Sequence, residues 1–181
     1  LDGEEPFDFI ICSGLFSWVS TRAQAEILRL CGALLSPAGV ATLSFNALPG
    51  WQPRIALREL LGLHCAAFED PAVQIAEARA LLEDLDAGLE QGPHAPPLAQ
   101  ALAELEGADD AYLFHEYLSG ENHPVAIHEF VSRAVAAGLC YLGEAAFEDT
   151  RFSLSPEQRR PGLERGSTEF VTLAFRDDLL S

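Results

Sequence analysis

Residues 7–45 read "FDFIICSGLFSWVSTRAQAEILRLCGALLSPAGVATLSF", and this stretch decides the fold. "FDFIIC" (7–12) is a nearly continuous apolar run, the pattern of a strand covered on both faces. Thr21, with Gln24 three positions later, forms a capping box that predicts a helix start. Ile27, Leu30 or Cys31, and Leu34 then recur at helical spacing, and Pro37 and Gly39 end the helix. "VATLSF" (40–45) predicts a second strand. A helix of this length between two apolar strands is a βαβ crossover, which implies a parallel sheet and an α/β fold class.

Downstream the pattern changes. Residues 52–118 carry helical periodicity and no strand signal. Asp70-Pro71 is an N-cap followed by a first-turn proline, and Ile75, Ala78, Leu82, Leu85 and Leu89 form one apolar stripe. "GPHAPP" (92–97) predicts a linker, and Leu98, Leu102 and Leu105 a second short stripe. From residue 124 the α/β character returns. "PVAIHEFVSRAVAAG" predicts a helix with Pro124 near its start and Gly138 at its end, and "LCYLGEA" a strand. After an irregular stretch with Pro156 and Pro161, "STEFVTLAFR" predicts a closing strand that alternates Phe170, Thr172 and Ala174 with Val171, Leu173 and Phe175. The expected organisation is residues 1–51 as an α/β half-core, 52–118 as an inserted all-helical cap, and 119–181 as a helix plus strands that complete the sheet.

Composition excludes several partner classes. With 49% apolar residues, 181 residues can bury one sizeable core. No apolar run reaches the ~18 residues of a membrane span, and "LDGEEPFDF" has neither the basic nor the apolar region of a signal peptide. A cytoplasmic location without membrane contact is expected. Methionine is absent and the chain opens on Leu1, so it is expected to be a piece of a longer protein. The 28 acidic residues outnumber the 11 basic ones, all arginine, for a formal charge of −17. Such a chain repels phosphate backbones, and no nucleic-acid partner is expected. Arg159, Arg160 and Arg165 cluster in a predicted loop, read either as a solvated loop or as a phosphate patch. Cys12, Cys31, Cys65 and Cys140 are scattered without a C-x-x-C pair, as structural thiols are.

The strand–helix–strand stretch resembles the region from the fourth to the fifth strand of class I S-adenosylmethionine-dependent methyltransferases. "LLSPAGVATLSF" is similar to that family's leucine–proline–glycine turn into the fifth strand, with Ala38 in place of the first of two glycines. "GLCYLGEA" and "AFRDDLL" resemble its terminal antiparallel strand pair. "SWV", "NALPGW", "AYLFHEYL" and "ENHPVAIHEFV" narrow the resemblance to bacterial methyltransferases with a methyltransferase regulatory domain, a group that includes rickettsial enzymes acting on lysines of an outer-membrane protein. The resemblance implies a partial Rossmann-like methyltransferase sheet with an inserted helical cap. It implies S-adenosylmethionine as cofactor of the complete protein, and a protein or small-molecule methyl acceptor. The family's glycine-rich cofactor turn is missing: no G-x-G-x-x-G occurs in the 181 residues. By the resemblance that loop belongs upstream, in a half-domain this chain lacks. His123 stands where the family pattern places an acidic residue.

Candidate residues follow from position. In an open α/β sheet, ligands bind at the carboxyl ends of the strands. There Gly14 would admit a ligand close to the backbone and Ser13 would hydrogen-bond it, which makes both cofactor-binding candidates; a plain tight turn is the alternative. Trp18, Asn46 and Trp51 are substrate-binding candidates around the same strand ends, though Trp18 also suits packing and Asn46 suits a turn. "FHEYL" contributes His115 as a substrate-binding candidate and Glu116 and Tyr117 as catalytic candidates, against a role in capping and packing. Glu129 is a third candidate proton acceptor for a lysine substrate. Adjacent helical residues point about 100° apart, and His123 and His128 are poorly spaced for one face, so no metal site is expected. "CSGLF" is not a nucleophile elbow. Two functions remain in play: an enzyme transferring methyl, and a non-catalytic module that regulates or dimerises with a partner owning the cofactor site. A homodimer is among the expected partners.

Overall fold

The computed structural model describes residues 5–89, 95–145 and 168–175, the last of these as backbone only. The expectations for the 159–165 arginine cluster, for Pro156 and Pro161, and for side-chain alternation over 170–175 lie outside the described residues. The chain divides into two compact units, one made of residues 1–51 and 121–181 and the other of 52–120.

The first unit is the α/β part. Strand β1 (Phe7–Cys12) leads through a 3-10 turn (Phe16–Trp18) to helix α1 (Thr21–Leu34) and strand β2 (Leu35–Leu48). β1 and β2 pair in parallel, with Ile10 beside Ala41 and Cys12 beside Leu43. The βαβ reading therefore holds, with a longer second strand than the apolar run suggested. The helix begins differently from the capping box: Ser20 is the N-cap, its Oγ accepting from the Ala23 amide, and Gln24 is drawn inward instead.

After the helical segment, a two-residue strand β3 (Val125–Ala126) pairs in parallel with Ala47 and Leu48 before helix α6 (Ile127–Ala136). Pro124 thus precedes a strand rather than opening the helix. Strand β4 (Leu139–Glu144) pairs antiparallel with β5 (Thr168–Phe175), and β5 pairs antiparallel with β2, giving the order β1-β2-β5-β4. The core lies on one face of this sheet. Phe45 stacks on Phe130 at 4.4 Å between ring centroids, and Phe16 meets Phe130 edge-on at 5.3 Å. Leu28 and Cys31 of α1 and Ala134 of α6 join them. Gly32 permits this closeness, because a Cβ there would sit 2.1 Å from the Ala137 carbonyl oxygen. Alternation in β1 puts Ile10 and Cys12 toward the core and leaves Phe9 76% and Ile11 78% exposed.

The second unit is all helical among the described residues: α2 (Gln52–Cys65), α3 (Pro71–Leu89), α4 (Ala95–Ala103), α5 (Asp110–Leu113) and a π-helical turn (Phe114–Leu118). α4 already begins at Ala95, inside the expected linker, because prolines suit a first helical turn. Leu57, Leu61, Ala78, Leu102, Leu105 and Tyr117 form its core. The unit runs to Gly120 rather than 118. Ser119 stays with the π turn, its amide donating to the Phe114 carbonyl and its hydroxyl to the His115 carbonyl.

Candidate functional site

The carboxyl ends of β1 and β2 carry most of the nominated residues of the first unit. Ser13 and Gly14 are exposed just past β1. Gly14 has φ of +65°, a conformation that side chains disfavour, and a Cβ built there meets nothing within 4 Å. Its amide donates to Ser44 Oγ at 2.8 Å, which fixes the turn onto β2. Open space beside a tethered glycine lets a ligand reach the backbone.

Ser17 binds the neighbouring segments together. Its hydroxyl accepts from the Asn46 amide (2.8 Å) and its carbonyl from the His123 amide (2.7 Å). Gln24, wholly buried, donates from Nε2 to the carbonyls of Phe16 (2.8 Å) and His123 (3.1 Å), while its Oε1 accepts from Arg133 (3.0 Å). The Arg133 guanidinium also lies 5.6 Å from the Phe16 ring centroid. Asn46 is buried, and its side-chain Nδ2 has no hydrogen-bond partner. Asn122 Nδ2 is in the same condition. Buried amides of this kind are rare and mark either a cost or an absent acceptor.

Trp18 is partly buried and meets Trp51 edge-on at 6.0 Å. Trp51 itself is only 2% exposed, so it backs Trp18 rather than presenting a face. Glu129 is an exposed residue of α6 whose carboxylate lies 4.0 Å from Arg133. Beside this framework His123 Nε2 lies 2.6 Å from Glu121 Oε2, with both side chains partly exposed. Sequence reasoning passed over this pair; its signal was the "ENHP" spacing, a carboxylate and an imidazole two residues apart.

His115, Glu116 and Tyr117 lie in the helical unit, on the π turn. Such turns re-aim side chains and often sit at functional positions. Arg58 donates to the carbonyls of Glu116 and Ser119, which the π geometry leaves available. Burial pushes the Glu116 carboxyl above its ordinary range, against the opposing pull of His115, Arg54 and Arg58. His115 is exposed, with Nδ1 3.4 Å from Glu116 Oε1. Tyr117 is 2% exposed, and burial pushes its hydroxyl up to about 12. That hydroxyl lies near Arg54 without a hydrogen bond of normal geometry. A partly desolvated carboxyl can hold or accept a proton; a fully buried phenol is chiefly a packing group.

The four cysteines are free thiols. Among the described residues no cluster of metal-ligating side chains occurs, and no helix is long and apolar enough to cross a membrane.

A parallel β1-α1-β2 unit within a sheet of β1-β2-β5-β4 order makes the first unit a mixed α/β fold. Residues 109–180 match the family model of the predicted methyltransferase regulatory domain. The chain is 34% identical over 130 residues to an uncharacterized protein of Rickettsia prowazekii, covering 71% of this chain and 52% of that protein. A second uncharacterized R. prowazekii protein is 36% identical over 140 residues, or 76% of this chain and 25% of the relative. The chain thus spans about half and a quarter of these relatives' lengths. Among solved structures, PKMT2 from Rickettsia typhi matches at 28% identity and a TM-score of 0.80, over 96% of this chain and 36% of that one. PKMT2 in complex with AdoHcy matches with a TM-score of 0.82, over 96% and 37%. Over residues 109–180 the chain is thus similar to a methyltransferase regulatory domain, and over nearly its whole length it is similar in sequence and fold to PKMT2 of Rickettsia typhi.

Proposed function

We propose that this chain is the C-terminal part of an S-adenosylmethionine-dependent methyltransferase whose acceptor is a protein, with a lysine side chain the favoured group, or a small molecule. The observation that carries the reading is the match of nearly the whole chain to just over a third of a methyltransferase bound to AdoHcy. The local chemistry suits it. Gly14 and Ser13 offer an open backbone and a hydroxyl at the strand ends, where this fold class binds ligands. They fit one side of a nucleoside-bearing donor, while the glycine-rich turn would come from sequence outside these residues. When bound, the donor supplies an electrophilic methyl group. The chain's own residues orient the acceptor, exclude water and take up a proton. The charge of −17 favours a basic acceptor.

A second reading, a regulatory or dimerisation module acting with a separate catalytic domain, draws on the family description of residues 109–180 and on the exposed apolar side chains of β1. Reading the DNA upstream of the Leu1 codon, then titrating S-adenosylmethionine into the complete product of the reading frame, separates the two. An in-frame acidic residue and glycine-rich turn after an apolar strand, with saturable donor binding, supports the enzyme. A stop codon there, or a complete product that binds no donor, favours the module.

A further inference from the structure

The Glu121–His123 pair sits on a loop whose backbone is tied to the segment after β1, to α1 and to the end of β2. Three backbone anchors hold its loop at the carboxyl ends of the strands. The His123 amide donates to Ser17, Gln24 donates to the His123 carbonyl, and two residues later Val125 pairs with Ala47 at the end of β2. Ser17 in turn receives the Asn46 amide, one residue before Ala47. His123 is therefore fastened to the segment that follows Gly14 and to the end of β2.

The side-chain chemistry is equally directional. Nε2 of His123 faces Glu121 Oε2 at 2.6 Å, a charge-assisted distance. With Nε2–H donating to the carboxylate, a neutral ring carries its lone pair on Nδ1. The carboxylate fixes that tautomer. With side-chain exposures of 39% and 59%, both groups stay within reach of water, so a proton gained can leave. Between them in sequence, Asn122 holds a buried amide with no acceptor, as Asn46 does across Ser17. Two unsatisfied donors on segments joined through Ser17 mark a stretch that meets a polar ligand rather than bulk solvent alone.

We propose that His123, positioned by Glu121, is the proton acceptor for an amine substrate at the carboxyl ends of β1 and β2; this deepens the methyltransferase reading and rests on it. The acceptor enters as an ammonium ion. Its N–H bond breaks, the electron pair stays on the amine nitrogen as the nucleophile, and the proton moves to His123 Nδ1. The imidazolium, held by Glu121, then releases the proton to water. Glu121 touches no substrate and is a positioning residue.

The test uses the complete product of the reading frame, S-adenosylmethionine and a lysine-containing basic peptide. Wild type, His123→Gln, His123→Ala and Glu121→Gln are compared for donor affinity, peptide affinity, kcat and the ring 15N shifts of His123. The expected result is donor affinity unchanged, kcat lowered about 100-fold in both His123 variants, as for loss of a general base. Added imidazole restores turnover in His123→Ala but not in His123→Gln. In wild type, peptide binding moves the His123 nitrogens toward the imidazolium position, and Glu121→Gln weakens that shift. Donor binding intact with kcat unaltered, or kcat lost without imidazole rescue, overturns the role of His123 alone. A wild-type protein that neither binds the donor nor methylates overturns the reading beneath it, and the proton acceptor with it.

Discussion

Gln24 and His123 lie 99 positions apart in sequence, and the buried amide of one donates to the backbone carbonyl of the other at 3.1 Å. The contact joins α1 to the loop that enters β3. It is one of three hydrogen bonds that satisfy the Gln24 side chain completely enough for zero exposure.

Gln24→Leu keeps the volume and removes all three bonds. Two carbonyls and a guanidinium N–H lose their partner, which costs about 2–4 kcal/mol. Chemical denaturation of the two proteins should show this loss; a change below about 0.5 kcal/mol would mean that water replaces the amide.

Tyr117→Phe should behave in the opposite way. The hydroxyl is buried near Arg54 without a hydrogen bond of normal geometry, so its removal is neutral or stabilising by up to about 1 kcal/mol. A substantial loss of thermal stability would show that the phenol has a partner in solution, with Arg54 the first to examine.

Glu116 gives a pH signature. Its folded-state pKa is raised by burial, so the protonated form is favoured by folding. Its contribution is fully present below the ordinary glutamate range and is lost as pH rises through the folded value. Glu116→Gln should therefore gain on wild type in unfolding free energy between pH 4 and pH 8. Parallel pH curves for the two proteins would refute the buried carboxylate. Methyl transfer by the complete protein, compared between wild type and the same variant, tests separately the candidacy of Glu116 as proton acceptor.

Phe9 and Ile11 point away from the core on a strand with one paired neighbour in the described sheet. An apolar edge of this kind promotes association. The isolated 181-residue chain should sediment as a concentration-dependent mixture, and Ile11→Lys should shift it toward monomer with a stability change within about 0.5 kcal/mol. A wild-type chain that stays monomeric and melts sharply at every concentration would contradict this view of β1.

Gly14→Ala tests the turn beside the open space. No neighbour obstructs the added Cβ, so the cost is the positive φ alone, about 1–2 kcal/mol. Donor affinity of the complete protein should fall with it if a ligand approaches this backbone.

Much of the fold was legible because it rests on local periodicity. The apolar run at 7–12, the spacing of Ile27, Cys31 and Leu34, and the second run from Val40 specify a parallel βαβ unit whatever surrounds them. The helical character of 52–118 was visible for the same reason. β3 was not, since two residues carry no period, and Val125-Ala126 becomes a strand only because the end of β2 offers free backbone groups. Gln24 satisfied a capping pattern on paper, but burial against Phe16 and His123 outweighed a surface cap.

The candidate residues divide along the same line. Sequence by itself determined the α/β class, the acidic surface, and Ser13-Gly14 at a strand's carboxyl end, since these follow from composition and from alternation along a single segment. Tertiary structure alone decided that Trp51 and Tyr117 are buried, that burial desolvates Glu116, and that the His123 backbone is held to Ser17 next to the end of β2. Those outcomes depend on which distant groups come to share a hydrogen bond or exclude water from one another, and no local pattern encodes that.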